Sequence, residues 1–435
     1  MRTTHRKRTI RTAAVGLAAM MLTATACSSS DDGGSGSGDS DDITLTVGVF
    51  GQFGLEEAGL YEEYMELNDH ITIEQTSTQE NADYYAALLT RLPTGSGLMD
   101  IQAIEVANIF EATNELGQYF VDFNDHGVDT GHFLDWKLAQ GTDPDGKVVG
   151  LGTDTGPMGI CYRTDFFEEA GLPTDREEVS ALWADDWSAY IEAGEEFAEN
   201  TTSGAKWVDA GAGLFNAVVN SFPERFYDEN GEVVYQESEG VATAWDIAMD
   251  AVESDLTAKH DLFTPEWDRG MANGDFATLS CPAWMLGYIQ DKSGDAGLGS
   301  WDFAHAPVAG NWGGSFLTVT EASRHKDEAV KLAAWLTAPE QQAKLFTERG
   351  SFPSSEEAMG FPEVQEASNE YFADAPIGEL FSAAAQDIPT LIVGPRDQVI
   401  QEGLANGLLT AERQGADRDK AWEDAVKSIE NALAD

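Results

Sequence analysis

The chain has 435 residues, 42% of them hydrophobic, which is enough apolar material for more than one core of ordinary domain size. It carries 77 Asp and Glu against 25 Lys and Arg, a formal net charge of −52 at pH 7. A field of that sign repels nucleic acid, anionic lipid and anionic solutes, and favours a neutral or cationic ligand.

Arg2, Arg6, Lys7, Arg8 and Arg11 form a basic start with no acidic residue, and an apolar run from Ala13 to Leu22 comes next. The run is too short to span a bilayer, so residues 1–26 read as a secretory signal. Ala24-Thr25-Ala26-Cys27 is similar to a bacterial lipobox, with Ala24 where Leu is commoner, which makes Cys27 the acylated first residue of the mature chain. Removal of the leader takes five of the 25 basic residues and none of the 77 acidic ones, so the formal charge becomes −57. The acidic residues are scattered (Glu62-Glu63, Asp185-Asp186), as on a solvated surface suited to salty or alkaline surroundings. Ser28 to Asp42 is Ser, Gly and Asp only, and such a sequence cannot build a core. With Cys27 it reads as a flexible linker with a reach of roughly 20 Å. No later stretch is long and apolar enough to cross a membrane.

Ile43 to Val49 alternates and is β-branched, as a strand requires; Gly54 to Leu67 has helical spacing, and Ile71 to Gln75 is a second strand. Tyr84 to Leu92 is again helical, closed by the turn Pro93 to Gly97, and Asp100 to Ile104 is a buried strand. This alternation predicts an α/β fold with a mostly parallel sheet. Asp143-Pro144-Asp145-Gly146 and Asp228-Glu229-Asn230-Gly231 are hairpin turns; the first lacks the third ligand position and closing Glu of a calcium loop. Cys161 and Cys281, in the apolar runs GICYR and TLSCPAW, fit either a disulfide or two buried thiols. Glu328 to Leu336 is amphipathic, and Thr337-Ala338-Pro339-Glu340 has capping-box spacing before a helix through Phe346.

The chain has no G-x-S-x-G, H-E-x-x-H or phosphate-loop motif. His70, His126, His132, His260, His305 and His325 show no metal-ligand spacing, and no carboxylate pair stands out as an acid and base. The aromatic residues are more telling. Trp284 follows a strand-like run, and Trp301 and Trp312 bracket a segment ending in Gly313-Gly314. An indole presents a flat apolar face to a sugar ring, while nearby carboxylates and amides take its hydroxyls. A Trp taken alone is more often core than ligand platform, and flexible Gly beside it at a strand end shifts the balance towards a cleft.

Six segments in order, GSGLMDIQAIEV, DGKVVGLGTDTGPMGICYRTDFFEEAGLPTDREEV, WDRGMANGDFATLSCPAWML, NWGGSFLTV, LTAPEQQAKLF and GSFPS, make the chain similar to bacterial extracellular solute-binding proteins. The family is the large sugar-binding one that includes maltose-binding protein, and within it the chain most resembles actinobacterial lipoproteins that bind cellobiose and cello-oligosaccharides. The resemblance covers nearly all of the mature domain. It implies a two-lobed periplasmic-binding-protein-like α/β fold, with the ligand in the cleft and three crossings between lobes. Those crossings fall near Thr155-Gly156-Pro157, Pro307 and Ser351-Phe352-Pro353. Lobe 1 is then 43–154 and 308–350, and lobe 2 is 155–307 and 351–435.

Carried over residue by residue, Trp284 matches a common stacking platform, although Cys281-Pro282 before it departs from the usual pattern. Trp312, Gly313 and Gly314 match the segment that re-enters lobe 1 at the cleft. Glu105 follows a strand where the family commonly presents a polar sugar contact, Asp154 precedes the first crossing and with Glu105 is expected to take sugar hydroxyls, Gln52-Phe53 follows the first strand, and Arg396 is either a ligand contact or part of a structural ion pair. The resemblance places the strands of Cys161 and Cys281 in one lobe. It implies a monomeric, non-enzymatic importer subunit with no cofactor or metal, whose partners are a neutral oligosaccharide, the transmembrane subunits of an ABC permease and the membrane through its anchor. A secreted glycosidase, a sugar-binding adhesion module and a polyamine or metal-chelate binder are the competing classes. The α/β alternation disfavours the adhesion module, and the Trp-Gly-Gly segment disfavours the polyamine binder.

Overall fold

The computed structural model describes residues 42–228 and 230–434. The leader, Cys27 and all of the Ser/Gly/Asp tail but Asp42 lie outside the described residues, so the signal and anchor expectations are not addressed by it.

The first strand, β1 (Ile43–Phe50), buries Leu45, Val47 and Val49 completely. It pairs in parallel with β2 (Ile71–Thr78), which the helix Leu60–Leu67 makes possible by carrying the chain back over one face. β3 (Ile101–Glu105) pairs in parallel on the other side of β1. Two strands from far along the chain complete the sheet: β4 (Leu151–Gly152) and β9 (Ser315–Val319), in the order β2-β1-β3-β9-β4. The second sheet contains β5 (Met158–Arg163), β6 (Lys206–Val208), β7 (Phe276–Pro282) and β8 (Trp301–His305), in the order β6-β7-β5-β8.

Both sheets are mixed, which corrects the expectation of a mostly parallel one: β9 runs antiparallel to β3 and β4, and β5 runs antiparallel to β7 and β8. The parallel expectation came from β1 to β3, which are joined by helices. The antiparallel pairs involve strands that enter a sheet after the chain has visited the other lobe. Two further expectations change. Gly54 and Gly59 adopt φ of +87° and +72°, so the segment before Leu60 is a turn and the helix begins six residues later than its spacing suggested. Thr337 does not cap the helix Pro339–Arg349; its hydroxyl donates to the carbonyl of Ala333 at 2.9 Å and closes the preceding helix, leaving Ala338 as N-cap and Pro339 as first residue.

Each lobe has its own apolar interior. Leu45, Val47, Ile101, Ala103 and Leu317 pack together in the first, and Ile160, Trp183, Tyr190 and Trp207 in the second. Cys161 and Cys281, both fully buried on adjacent strands, form a disulfide with Cα atoms 5.4 Å apart, which settles the choice left open by the sequence. The helix Pro339–Arg349 serves both lobes: Leu345 joins the first interior, while Ala343 and Phe346 pack in a further cluster with Cys161, Cys281 and Phe303 of the second sheet.

The passages between sheets lie side by side. Thr155 N–H donates to Phe352 O and Trp312 N–H to Gly156 O, each at 2.8 Å, and Met158 N–H donates to Gly310 O at 3.1 Å. A Cβ on Gly156 would sit 1.9 Å from Trp312 O, so only glycine lets these segments approach.

Candidate ligand-binding cleft

A cavity of about 390 Å³ opens where the two sheets face each other. Its first wall is built from residues at and just past the C-terminal ends of the strands: Gln52 and Phe53 after β1, Glu80 and Asn81 after β2, Glu105 at the end of β3, and Asp154 after β4. Open α/β sheets place ligands there because their strands end together and helix N-termini point the same way. The second wall comes from Asn216 and Arg225, from Phe263, from Trp284 and Tyr288, and from Gln398 and Gln401 on the helix Asp397–Gln414. Trp312, Gly313 and Gly314 form the seam between the walls.

The aromatic residues are fixed by one another. Trp284 and Trp312 meet edge to face, with ring centres 5.6 Å apart and planes at 84°. Trp284 Nε1–H donates to Trp312 O at 2.9 Å, so its indole is held at both its edge and its polar end. Phe263 lies 6.1 Å from Trp284 and 6.3 Å from Trp312. Across the cavity Phe53 packs against Phe50 at 5.6 Å. Gly313 and Gly314 have φ of +93° and +99°, and a Cβ on Gly314 would meet Lys137 Nζ at 2.8 Å and Asp154 O at 2.9 Å. Both positions require glycine.

Two carboxylates and an amine lie under this floor. Glu105 caps the helix Val106–Asn114 by accepting from Ala107 N–H at 2.7 Å. Burial pushes its carboxyl up to about 7, against the lowering effects of that bond and of Lys137 and Arg225. Asp154 accepts from Ser315 N–H at 2.9 Å and from the Thr153 hydroxyl at 2.7 Å; burial raises its pKa, with Lys137 opposing. Lys137 is buried with its Nζ 3.9 Å from the centre of the Phe316 ring, and burial pulls its ammonium down to about 8 although Asp154 and Glu105 hold the proton.

Of the residues singled out from the sequence, Gln52, Phe53, Glu105, Asp154, Trp284, Trp312, Gly313 and Gly314 therefore line one cavity. Arg396 does not. Its main-chain N–H donates to Tyr227 Oη, while its neighbour Asp397 takes a buried ion pair with Arg225 at 2.6 Å. Trp301 is fully buried in β8. The sequence reading missed Phe263, Asn216, Arg225 and Gln398. One signal was present: Asn216 and Asn220 stand four residues apart in the apolar run GAGLFNAVVN, where a core helix gains nothing from an amide. Phe263, at φ +62°, had none.

Two α/β lobes with an aromatic, polar-floored cavity between them have the build of a small-solute-binding protein. The chain belongs to the bacterial extracellular solute-binding protein family, whose model matches residues 59–373. It is 26% identical over 325 residues to a lactose-binding protein of Rhizobium radiobacter, covering 72% of this chain and 75% of that one. A crystal structure described as extracellular solute-binding protein family 1 is 37% identical, with a TM-score of 0.76 over 90% of this chain and 99% of that one. The ABC-transporter-associated binding protein of B. animalis subsp. lactis Bl-04, in complex with β-1,6-galactobiose, shares the fold at 19% identity and a TM-score of 0.76, covering 90% and 96% of the two chains. Among the described residues no helix is long and apolar enough to cross a membrane.

Proposed function

We propose that this protein is the carbohydrate-capturing subunit of an ABC importer, held at the outer face of the cell membrane through an acylated Cys27 and delivering its ligand to the permease. The observation that carries the carbohydrate reading is the pairing of chemistries in one cavity. Trp284, Trp312 and Phe263 offer apolar faces, while Glu105 and Asp154 offer oxygen acceptors from the opposite wall. Sugars have both kinds of surface, ring faces of C–H bonds and a rim of hydroxyls. Relatives named for lactose and complexed with β-1,6-galactobiose support the same class. Within it we favour a neutral β-linked gluco-oligosaccharide, cellobiose or a somewhat longer cello-oligosaccharide. Equatorial hydroxyls leave both faces of each glucose free to lie on an indole.

Calorimetry with cellobiose, cellotriose, lactose, maltose, xylobiose and spermidine tests the reading. Cellobiose or cellotriose is expected to bind most tightly, and to be recovered unhydrolysed. Tight binding of maltose without cellobiose refutes the linkage, and binding of spermidine but no sugar refutes the class.

A further inference from the structure

The second wall of the cavity contains hydrogen-bond donors that the protein itself leaves open. Asn216, on the helix Gly211–Val219, is 3% exposed and lines the cavity. The orientation of its amide is set by its neighbours. Asn220 Nδ2 donates to the main-chain oxygen of Asn216 at 2.8 Å, a group that only accepts. Asn220 Oδ1 takes Arg225 Nη1–H at 2.5 Å, a group that only donates. Asn220 is thereby fixed, so its further bond to the Asn216 side chain, 2.9 Å, meets Oδ1. Gln401 Nε2–H donates to the same oxygen at 2.8 Å. The Nδ2 of Asn216 is left with two N–H groups and no acceptor among the described residues.

Arg225, 5% exposed, is committed in the same way: Nη1 to Asn220, Nη2 to Asp397 at 2.6 Å, while Nε–H has no acceptor among the described residues. Buried donors without partners are rare in folded proteins and call for an explanation. Here both residues line the ligand cavity. Arg225 acts across it on the carboxylate of Glu105, whose Oε2 is bonded to Ala107 N–H and whose other lone pairs take no donor among the described residues. A donor wall on one lobe thus faces an acceptor on the other. The guanidinium charge is already matched by Asp397, so this place does not ask for an anion.

Resting on the carbohydrate reading above, we propose that Asn216 and Arg225 are specificity-determining donors for one ligand hydroxyl, whose own proton is directed at Glu105. A hydroxyl accepts and donates at a single atom. An ammonium group cannot accept from the second lobe, and a carboxylate cannot donate to the first. The same hydroxyl would tie the lobes together, so its recognition and closure would be one event.

Two experiments test this at pH 8. Asn216→Asp keeps the oxygen that serves Asn220 and Gln401 and replaces the free N–H pair by an acceptor. By calorimetry with cellobiose, cellotriose, lactose, maltose and β-1,6-galactobiose, the tightest wild-type ligand is expected to lose at least tenfold in affinity. Equal binding overturns the proposal while leaving the carbohydrate reading intact; a wild type that binds none of the five overturns both. The second experiment uses wild-type protein, so it does not depend on the variant folding. In a series of singly deoxygenated and singly deoxyfluorinated forms of that ligand, one position is expected to lose tenfold or more in both forms, because fluorine cannot donate to Glu105. If every position tolerates replacement within about twofold, a range within which the site's unpaired donors would have gone unnoticed, the proposal falls.

Discussion

Glu105→Gln probes the electrostatics beneath the cleft. In the folded chain burial moves this carboxyl from 4.5 to about 7. Its ionisation therefore opposes folding by up to about 3 kcal/mol, an upper limit because the residue keeps part of its surface open to the cleft. Below pH 4.5 the folded and unfolded chains both hold the proton and the penalty is absent. Between pH 4.5 and about 7 the unfolded chain has released the proton while the fold retains it, so stability falls as pH rises; above about 7 the loss is complete. Glutamine keeps an oxygen for Ala107 N–H and removes the ionisation. Asp209, raised to about 7 by burial, and Asp397, raised to about 6, slope in the same direction but cancel in the difference between variant and wild type. Lys137, whose proton Glu105 helps to hold, loses it near 8, so the step from pH 4 to pH 6 is the one it leaves clear. Ligand-free calorimetric melts at pH 4, 6 and 8 should show the variant's advantage growing by up to about 3 kcal/mol. For a domain of about 390 residues that is roughly 4 °C in Tm. A difference that stays constant from pH 4 to 8 would refute the claim that this carboxyl is buried against its charge.

Trp284→Ala should weaken oligosaccharide binding by on the order of 1–3 kcal/mol, up to about a hundredfold, with an unchanged far-ultraviolet circular dichroism spectrum; binding within twofold of wild type would remove the indole from the site. Reduction of the Cys161–Cys281 bridge, which spans 120 residues of sequence, should lower stability by on the order of 4–5 kcal/mol on the chain-entropy account. Equal denaturation midpoints with and without reductant would contradict that. Cys27→Ala should leave the protein secreted but free of the membrane fraction, since the adjoining tail has no basic residue to hold anionic lipid; retention on membranes would exclude the acyl anchor.

What the sequence made legible depends on the range of the interactions involved. β1, β2 and β3 were readable because alternation and burial are local properties, but Gln52, Phe53 and Glu105 at their ends were named through the family resemblance, and Glu80 and Asn81 after β2 were not named at all. Trp301 and Trp312 are alike in local context, yet one fills a core and the other lines the cleft, because their fates depend on which sheet closes over them. Arg396 and Asp397 were separated by one position: the ion pair belongs to the aspartate, whose partner Arg225 is 172 residues away. Phe263 reaches the cavity through a left-handed backbone that no local pattern announced. The mixed direction of the sheets was hidden for the same reason: β9 pairs with β3 and β4 only after the chain has passed through the other lobe, and β5 pairs with strands more than a hundred residues further on.

The place of β9 bears on when this protein can fold. It is an interior strand of the first sheet, hydrogen-bonded to β3 on one side and β4 on the other, yet it begins at Ser315. Until that stretch emerges, β3 has an open edge and β4, two residues long, has nothing to pair with. Contacts so distant in sequence form slowly, because the intervening chain must be closed into a loop first. A chain threaded from its N-terminus through an export channel thus delivers nearly three-quarters of its length before its leading half can set. The topology that builds the cleft also leaves the first sheet incomplete for most of that passage.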